Sequence, residues 1–299
     1  MSTSQVFRAA VAALCGLVSL SLAPIASAAP SWWRVSNGHA EVWIIGAPRV
    51  TPRGFNWDTS TLERRLAATN TLIVGPQPRG VAAASAAGTA LFALAGLRSP
   101  TPMEESLSPG VRRQFVAARE AIGQDARRYA GWKPIVAGKN LSDDFLKASS
   151  LQSGQVESRV RKLARSKGLS ETPSGEVDPA QLITEVKSLG SKAQEACLAA
   201  SVHDISIGAD RLRALADAWA QGDVSAPPID AIDRACLTAA PVFGAAFDRA
   251  AVQDSAAVAK ALTVSPHGVA EFDLPTVVMP GGVLDRLRAR GLQVSGPME

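Results

Sequence analysis

Histidine, cysteine and tyrosine are scarce in this chain of 299 residues, which holds three His, three Cys and one Tyr. Three cysteines are too few for the disulfide framework of a small secreted domain, and three histidines do not easily build a zinc enzyme. The surplus of positive charge is only +4, which argues against a nucleic-acid-binding surface. With 46% apolar and 19% charged residues, the composition is that of an ordinary globular protein.

The common catalytic motifs are absent. No His-Glu-x-x-His, no Gly-x-Ser-x-Gly and no phosphate-binding loop occurs in the sequence. His203 and Asp204 could form a base and its orienting partner, although a histidine that caps a helix is the simpler interpretation. His267 lies in a Ser-Pro-His-Gly turn. Glu176 is interpreted as a loop carboxylate.

The first 28 residues are typical of a secretory signal peptide. Arg8 is the only charge before Ala29, residues 9–22 are uncharged and mostly apolar, and small residues at 26–28 suit signal peptidase. We expect cleavage near Ala28, which leaves residues 29–299 as one periplasmic or secreted domain. An uncleaved anchor is the alternative, but this apolar stretch is short for a membrane span.

A second uncharged run covers residues 80–97 and consists mostly of Ala, Gly, Ser and Thr. Such residues have weak transfer energies. The run is therefore predicted to be a buried helix, and no membrane span is expected after signal cleavage.

Strands are predicted near both ends of the chain. Segments 32–36 and 40–45 flank Asn37-Gly38, a strong two-residue hairpin signal. Further strands are predicted at residues 71–74, 269–274 and 292–294. Segments 43–45, 71–74 and 269–274 have few polar positions, so we expect them to be buried on both faces of a sheet.

Helices are predicted through the middle of the chain and before the last strand, at residues 59–69, 109–122, 141–151, 155–167, 179–189, 191–200, 209–221, 230–240, 245–262 and 282–290. Asp143 and Asp144 are interpreted as carboxylates that favour a helix start. Strands at both ends with a long helical middle predict an α+β fold, in which the N- and C-terminal strands share a common sheet.

Four tryptophans, at positions 32, 33, 43 and 57, surround the predicted hairpin. Their rings could stack on a sugar, but a hydrophobic core for the hairpin is the better explanation.

The order of these segments resembles that of the TraB/GumN family, also called TraB/PrgY/GumN. Its members open with a signal peptide, a Trp-containing hairpin and a strand ending in Gly-Thr-x-His, and they close with a strand, a loop, a helix and a strand. The resemblance spans nearly the whole chain after residue 28 and is carried by WWRVSNGHAEVWIIGAPRV, TLERRLAATNTLIV, LFALAGLRSPTPMEESLSPGVRRQF, GWKPIVAGKNL, VRKLARSKGLSETPSGEVDPAQL and PGGVLDRLRARGLQV. It implies an α+β fold and, for active animal members, a metal-dependent peptidase. Two Gly-x-x-His motifs and a glutamate would form the metal site.

This sequence departs from that pattern at each expected ligand. The first motif, from Gly46, ends in Arg49 instead of His, and the strand that should continue into Glu continues into Gly75. Counting back from Pro280 places Thr276 at the second His. An arginine stays protonated and has no lone pair for a metal. We therefore expect no metal or other cofactor, and we assign Gly46, Arg49, Gly75 and Thr276 to a binding cleft.

Resemblance to the family together with the loss of its metal ligands favours a non-catalytic binding or scaffolding protein of the cell envelope. Its partner would be another envelope protein or a small anionic ligand. Arg49 could bind such an anion, pair with another acid or simply face solvent. A metal-dependent peptidase or hydrolase with a relocated site, using His203, His267 and Glu176, is the alternative. A factor in polysaccharide export is a third possibility.

Cys197 and Cys236 are predicted to form a disulfide. An exported chain with two remaining cysteines meets an oxidising compartment. Both residues lie in similar helical contexts, Ala-Cys-Leu, so adjacent antiparallel helices would bring them together. Two buried free thiols are the alternative.

Overall fold

The computed structural model describes residues 29–78, 96–226 and 231–298. The predicted signal peptide lies outside these ranges, as does nearly all of the predicted helix at 80–97. The described strands are β1 (Trp32–Ser36), β2 (Glu41–Ala47), β3 (Val50–Pro52), β4 (Thr71–Val74), β5 (Gln77–Pro78), β6 (Leu151–Ser153), β7 (Ser170–Pro173), β8 (Glu176–Val177), β9 (His267–Asp273) and β10 (Gln293–Met298).

The described α-helices are α1 (Ser60–Ala67), α2 (Pro109–Ala121), α3 (Arg127–Ala130), α4 (Pro134–Ala148), α5 (Gln155–Ser166), α6 (Pro179–Lys187), α7 (Ser191–Ile207), α8 (Ala209–Ala220), α9 (Ala231–Ala239), α10 (Pro241–Val264), α11 (Leu274–Val278) and α12 (Val283–Ala289). Proline stands at the start of α2, α4, α6 and α10. Its fixed φ suits the first helical turn, where its missing N–H is not needed.

One six-stranded sheet joins the two ends of the chain, in the order β10-β1-β2-β9-β4-β7. Strand β1 pairs antiparallel with β10 and with β2, whereas β2, β9, β4 and β7 run parallel. This confirms the predicted α+β fold with N- and C-terminal strands in a common sheet and a helical middle. The three strands predicted to be most buried, β2, β9 and β4, lie side by side.

Helices cover both faces of this sheet. On one face, Trp33, Ile44 and Phe272 belong to an apolar cluster with residues of α10 and α12. On the other face, Trp32 and Val269 belong to a cluster with residues of α1, α5 and α8. The parallel strands are therefore buried on both sides, as their continuous apolar sequences predict.

The four tryptophans pack in the hydrophobic core around the hairpin, as predicted. Trp32, Trp33 and Trp57 are buried. Arg65 covers Trp43. Its guanidinium carbon lies 3.7 Å from the ring centroid of Trp43 and 4.2 Å from the ring centroid of Trp32. Such stacking is a favourable cation–π geometry.

A separate apolar cluster holds the helical region together and draws on α2, α4, α7 and their neighbours, with Phe115, Tyr129 and Leu198 at its centre. Beside it, α7 and α9 bring Cys197 and Cys236 together, with a sulfur–sulfur distance of 2.00 Å. The structure thus places the two cysteines as the disulfide prediction requires.

The sequence misplaced several boundaries. The helix predicted at 141–151 begins at Pro134 and ends at Ala148, so Asp143 and Asp144 lie inside α4 and not at its start. The helix predicted at 191–200 continues to Ile207. Strand β7, which closes one edge of the sheet, was missed because its sequence, Ser-Glu-Thr-Pro, is polar.

Within the described ranges, no single helix has both the length and the apolar composition of a membrane span. Residues Ile232–Ala239 and the following helix Pro241–Val264 meet those two criteria only as a pair, and they are bent by 99° at the break between them.

Candidate functional site

A cleft of about 380 Å³ lies where the parallel strands β2, β9 and β4 end. In sheets of this kind, ligands bind outside the carboxyl ends of the strands, because the connecting loops diverge there. The cleft is lined by Ala47, Pro48, Arg49, Gly75, Pro76, Gln77, Ser153, Gly154, Glu157, Arg161, Glu271, Phe272 and Asp273.

Arg49 and Asp273 form an ion pair across the ends of β2 and β9. The two strands are in register, with Ala47 opposite Asp273. Nε and Nη2 of Arg49 each lie 3.0 Å from Oδ2 of Asp273. The Arg49 side chain remains 56% exposed, so most of it faces solvent and the cleft.

Asp273 lies in an environment that disfavours its charge. Burial raises the pKa of the Asp273 carboxyl, and Arg49 only partly opposes this effect. The Asp273 side chain is nevertheless 36% exposed, so water as well as Arg49 solvates its carboxylate.

Glu271 lies two residues earlier on β9 and is 3% exposed. Since side chains alternate along a strand, Glu271 and Asp273 project from the same face of the sheet. Burial raises the pKa of Glu271 to about 8, and the nearby charge of Glu157 raises it further, whereas Arg161 lowers it. At neutral pH the Glu271 carboxyl is therefore mostly protonated and neutral.

Helix α5 brings two more charges to the cleft. Arg161 lies 2.7 Å from Glu157, one turn earlier on the helix, and 3.5 Å from Glu171 on β7. The Arg161 guanidinium is thus shared between two carboxylates. The cleft lining thus carries two arginines, Arg49 and Arg161, and three acidic residues, Glu157, Glu271 and Asp273.

A further buried acid lies on α10. Asp254 is 2% exposed and accepts a hydrogen bond of 2.5 Å from the Ser174 hydroxyl. Burial raises its pKa to about 7, against the effect of Ser174, and Asp273 raises it further. Asp254 also raises the pKa of Glu271, so three acids of this region are electrostatically coupled.

Of the residues assigned to the cleft from sequence, the structure brings Arg49 and Gly75 together in its lining. Gly46 lies inside β2, where its carbonyl accepts a hydrogen bond of 2.8 Å from Trp219. A Cβ at Gly46 would lie 2.7 Å from Leu274, which explains the need for glycine there. Thr276 is buried in α11 and does not line the cleft. Asp273, not Thr276, lies beside Arg49.

Sequence reasoning missed Glu157, Arg161, Glu271 and Asp273. A signal for two of them was present, because Glu271 and Asp273 interrupt an otherwise apolar strand. A charge in a strand that is buried on both faces is costly unless it has a purpose.

The relocated metal site is not assembled by this fold. His203 lies on α7, His267 begins β9 and Glu176 lies on β8. Within residues 29–78, 96–226 and 231–298, no group of three or more His, Cys, Asp or Glu side chains is placed to hold a metal ion.

Comparison with known protein families matches residues 31–296 to the TraB/PrgY/gumN family. The chain belongs to this family. Searches of the curated proteins and of the solved structures found no significant match to this chain. Family membership therefore agrees with the resemblance read from the sequence.

The positions that the TraB/PrgY/gumN resemblance assigns to a metal do not fit a divalent cation in this chain. Arg49 carries a positive charge and has no free lone pair. Gly75 has no side chain, and Thr276 lies outside the cleft lining. A metal site needs three or four converging ligands with lone pairs, and these three residues do not supply them.

Proposed function

We propose that this TraB/PrgY/gumN family member is exported and acts in the cell envelope as a non-catalytic binding protein. Its ligand is a small anion bound in the cleft, and Arg49 is the residue that binds it. The position of Arg49 carries the proposal, since its half-exposed guanidinium lines a cleft of about 380 Å³. A guanidinium offers a planar, two-pronged donor to a carboxylate, sulfate or phosphate.

The chemistry of the assigned positions supports the absence of catalysis. A peptidase of the family type needs a metal to activate water, and Arg49, Gly75 and Thr276 are not metal ligands. The same arginine that disfavours a cation favours an anion. Arg49 therefore supports both parts of the proposal, the absence of a metal and the binding of an anion.

Two features support export. Residues 1–28 have the charge, apolar stretch and small residues of a signal peptide. Cys197 and Cys236 lie at bonding distance, and disulfides persist mainly in oxidising compartments such as the periplasm.

Thermal unfolding in the presence of sulfate, inorganic phosphate and D-glucuronate tests the proposal. Each anion that binds the wild type should raise its Tm, because a ligand that binds only the folded state stabilises it. The Arg49→Ala variant should lose that shift while losing less than about 1 kcal/mol of stability, since the Arg49–Asp273 pair is exposed.

Arg53→Ala is the matched control. Arg53 has the same charge, is exposed and lies outside the cleft lining, so this variant should respond to the anions as the wild type does. Equal shifts in all three proteins would refute the anion site. Separately, near-stoichiometric zinc, manganese or cobalt in protein purified from its native envelope, without chelators or a His tag, would refute the non-catalytic assignment.

A further inference from the structure

The cleft contains a carboxyl group that has no hydrogen-bond partner within the described residues. Glu271 lies on the central strand β9, is 3% exposed and lines the cleft. Buried polar groups normally have a partner. An unpartnered one that lines a cleft indicates a place for a ligand.

The charges around Glu271 decide its protonation. On α5, Glu157 opposes its ionisation and Arg161 favours it, while Asp273 on β9 and Asp254 on α10 both oppose it. Glu171 on β7 also forms an ion pair with Arg161, at 3.5 Å. Burial dominates this balance and raises the pKa of Glu271 to about 8.

A protonated carboxyl is a hydrogen-bond donor. In this state Glu271 carries an O–H group and no negative charge. It can therefore donate to an anion, whereas the ionised carboxylate would repel one.

Asp273 occupies the position that an anion would take at Arg49. Its Oδ2 lies 3.0 Å from two nitrogens of the guanidinium. An incoming anion must share Arg49 with this carboxylate or displace it. Protonation of Asp273 would remove its negative charge and release Arg49 for the ligand.

We propose that Glu271 is a second ligand-binding residue, whose carboxyl O–H donates a hydrogen bond to the anion held by Arg49, and that Asp273 is the internal anion with which the ligand competes. This inference rests on the proposed function of the cleft. Its consequence is that anion binding is coupled to protonation and weakens as the pH rises.

Isothermal titration calorimetry of the full mature chain with sulfate and with D-glucuronate tests this coupling. Both probes keep a constant charge between about pH 6.5 and about pH 9.5, so their own titration does not contribute. With a pKa of about 8 for Glu271, only a few per cent of the protein is binding-competent at the upper pH. The wild type should then bind either probe about 30-fold more weakly at about pH 9.5 than at about pH 6.5.

The isosteric variant Glu271→Gln keeps a donor group at every pH. It should bind the probes as tightly as the wild type does at about pH 6.5, and its affinity should not fall by more than about twofold at the upper pH. Asp273→Asn removes the competing charge and should bind about tenfold more tightly at neutral pH. Glu120→Gln, an exposed site outside the cleft, should retain the pH dependence of the wild type.

Each outcome is decisive. Loss of the pH dependence in Glu271→Gln alone supports the inference. Binding that requires Arg49 but has the same pH dependence in Glu271→Gln and wild type refutes the role of Glu271 and leaves the proposed function intact. No binding of either probe, or binding unaffected by Arg49→Ala, refutes both. A preference for sulfate or for D-glucuronate separates an inorganic oxyanion from a sugar acid as the ligand class.

Discussion

Two buried acids of this protein, Asp144 in the helical region and Glu271 beside the cleft, have pKa values that are shifted in opposite directions. Asp144 lies inside α4 and accepts hydrogen bonds from Arg128 and from the hydroxyl of Tyr129, the latter at 2.8 Å. Burial alone would raise its pKa, but the hydrogen bonds from Arg128 and Tyr129 outweigh that effect and the pKa is lowered. Among the residues that the structure describes, none donates a hydrogen bond to Glu271, and its pKa is raised.

The two acids differ in their hydrogen-bond partners as well as in depth of burial, since Asp144 is 8% exposed and Glu271 is 3% exposed. The Asp144 network is satisfied, so its carboxylate stabilises the packing of α3 on α4. Within the described residues the Glu271 carboxyl has no hydrogen-bond donor, so it costs stability whenever it ionises. A satisfied buried acid is typical of a structural role, whereas an unsatisfied acid that lines a cleft is typical of a functional one.

The largest effect is expected from the pH dependence of stability at Glu271. The pKa of this group is near 4.5 in the unfolded chain and about 8 in the folded one. Between these values the folded state binds more protons, so wild-type stability falls as the pH rises from about 4.5 to about 8. Glu271→Gln removes this contribution, which is roughly 4–5 kcal/mol at most.

Urea unfolding at about pH 5 and about pH 9 measures this effect. The Gln variant and the wild type should have similar midpoints at the lower pH, and the variant should be the more stable at the higher pH. Glu120→Gln, with a side chain 63% exposed, is the control and should follow the wild type. A variant that loses stability equally at both pH values would show that Glu271 is ionised in the folded protein.

The helical region should instead depend on its covalent link. The disulfide joins positions 39 residues apart, and closing a loop of this length stabilises by about 4 kcal/mol at most. The double variant Cys197→Ser, Cys236→Ser should therefore unfold at lower urea concentration, by up to that amount, while anion binding at the cleft is unchanged. Mass spectrometry of non-reduced tryptic peptides checks the link itself, and two separately alkylated cysteines would contradict it.

The sequence predicted the sheet better than the cleft. Continuous apolar segments and the Asn37-Gly38 turn indicated the strands, because burial on two faces leaves a pattern in the residues themselves. Boundaries failed where the pattern was ambiguous, as at Asp143 and Asp144, which look like residues of a helix start. The cleft depends on which strands lie side by side, and the pairing of Ala47 with Asp273 has no local signal. Counting from Pro280 therefore reached Thr276 instead of the partner of Arg49.

The neighbouring residues Asp143 and Asp144 provide the last test of the comparison. They have the same chemistry and lie in the same helix, yet Asp144 is buried, whereas Asp143 is 56% exposed and pairs with Lys139. Asp144→Ala leaves the Tyr129 hydroxyl without its acceptor and should cost about 2–3 kcal/mol. Asp143→Ala removes an exposed pair and should cost less than about 0.5 kcal/mol.

The sign of the pH dependence at Asp144 is opposite to that at Glu271. Because the folded-state pKa of Asp144 is lowered, its stabilising effect is present above its unfolded pKa and is lost as the pH falls through the folded pKa. The difference in urea midpoint between Asp144→Ala and wild type should therefore be larger at pH 7 than at pH 3, whereas the small effect of Asp143→Ala should change little. Equal losses for the two variants at pH 7 would show that the hydrogen bonds of Asp144 do not stabilise the helical region, and the contrast with Glu271 would then rest on burial alone.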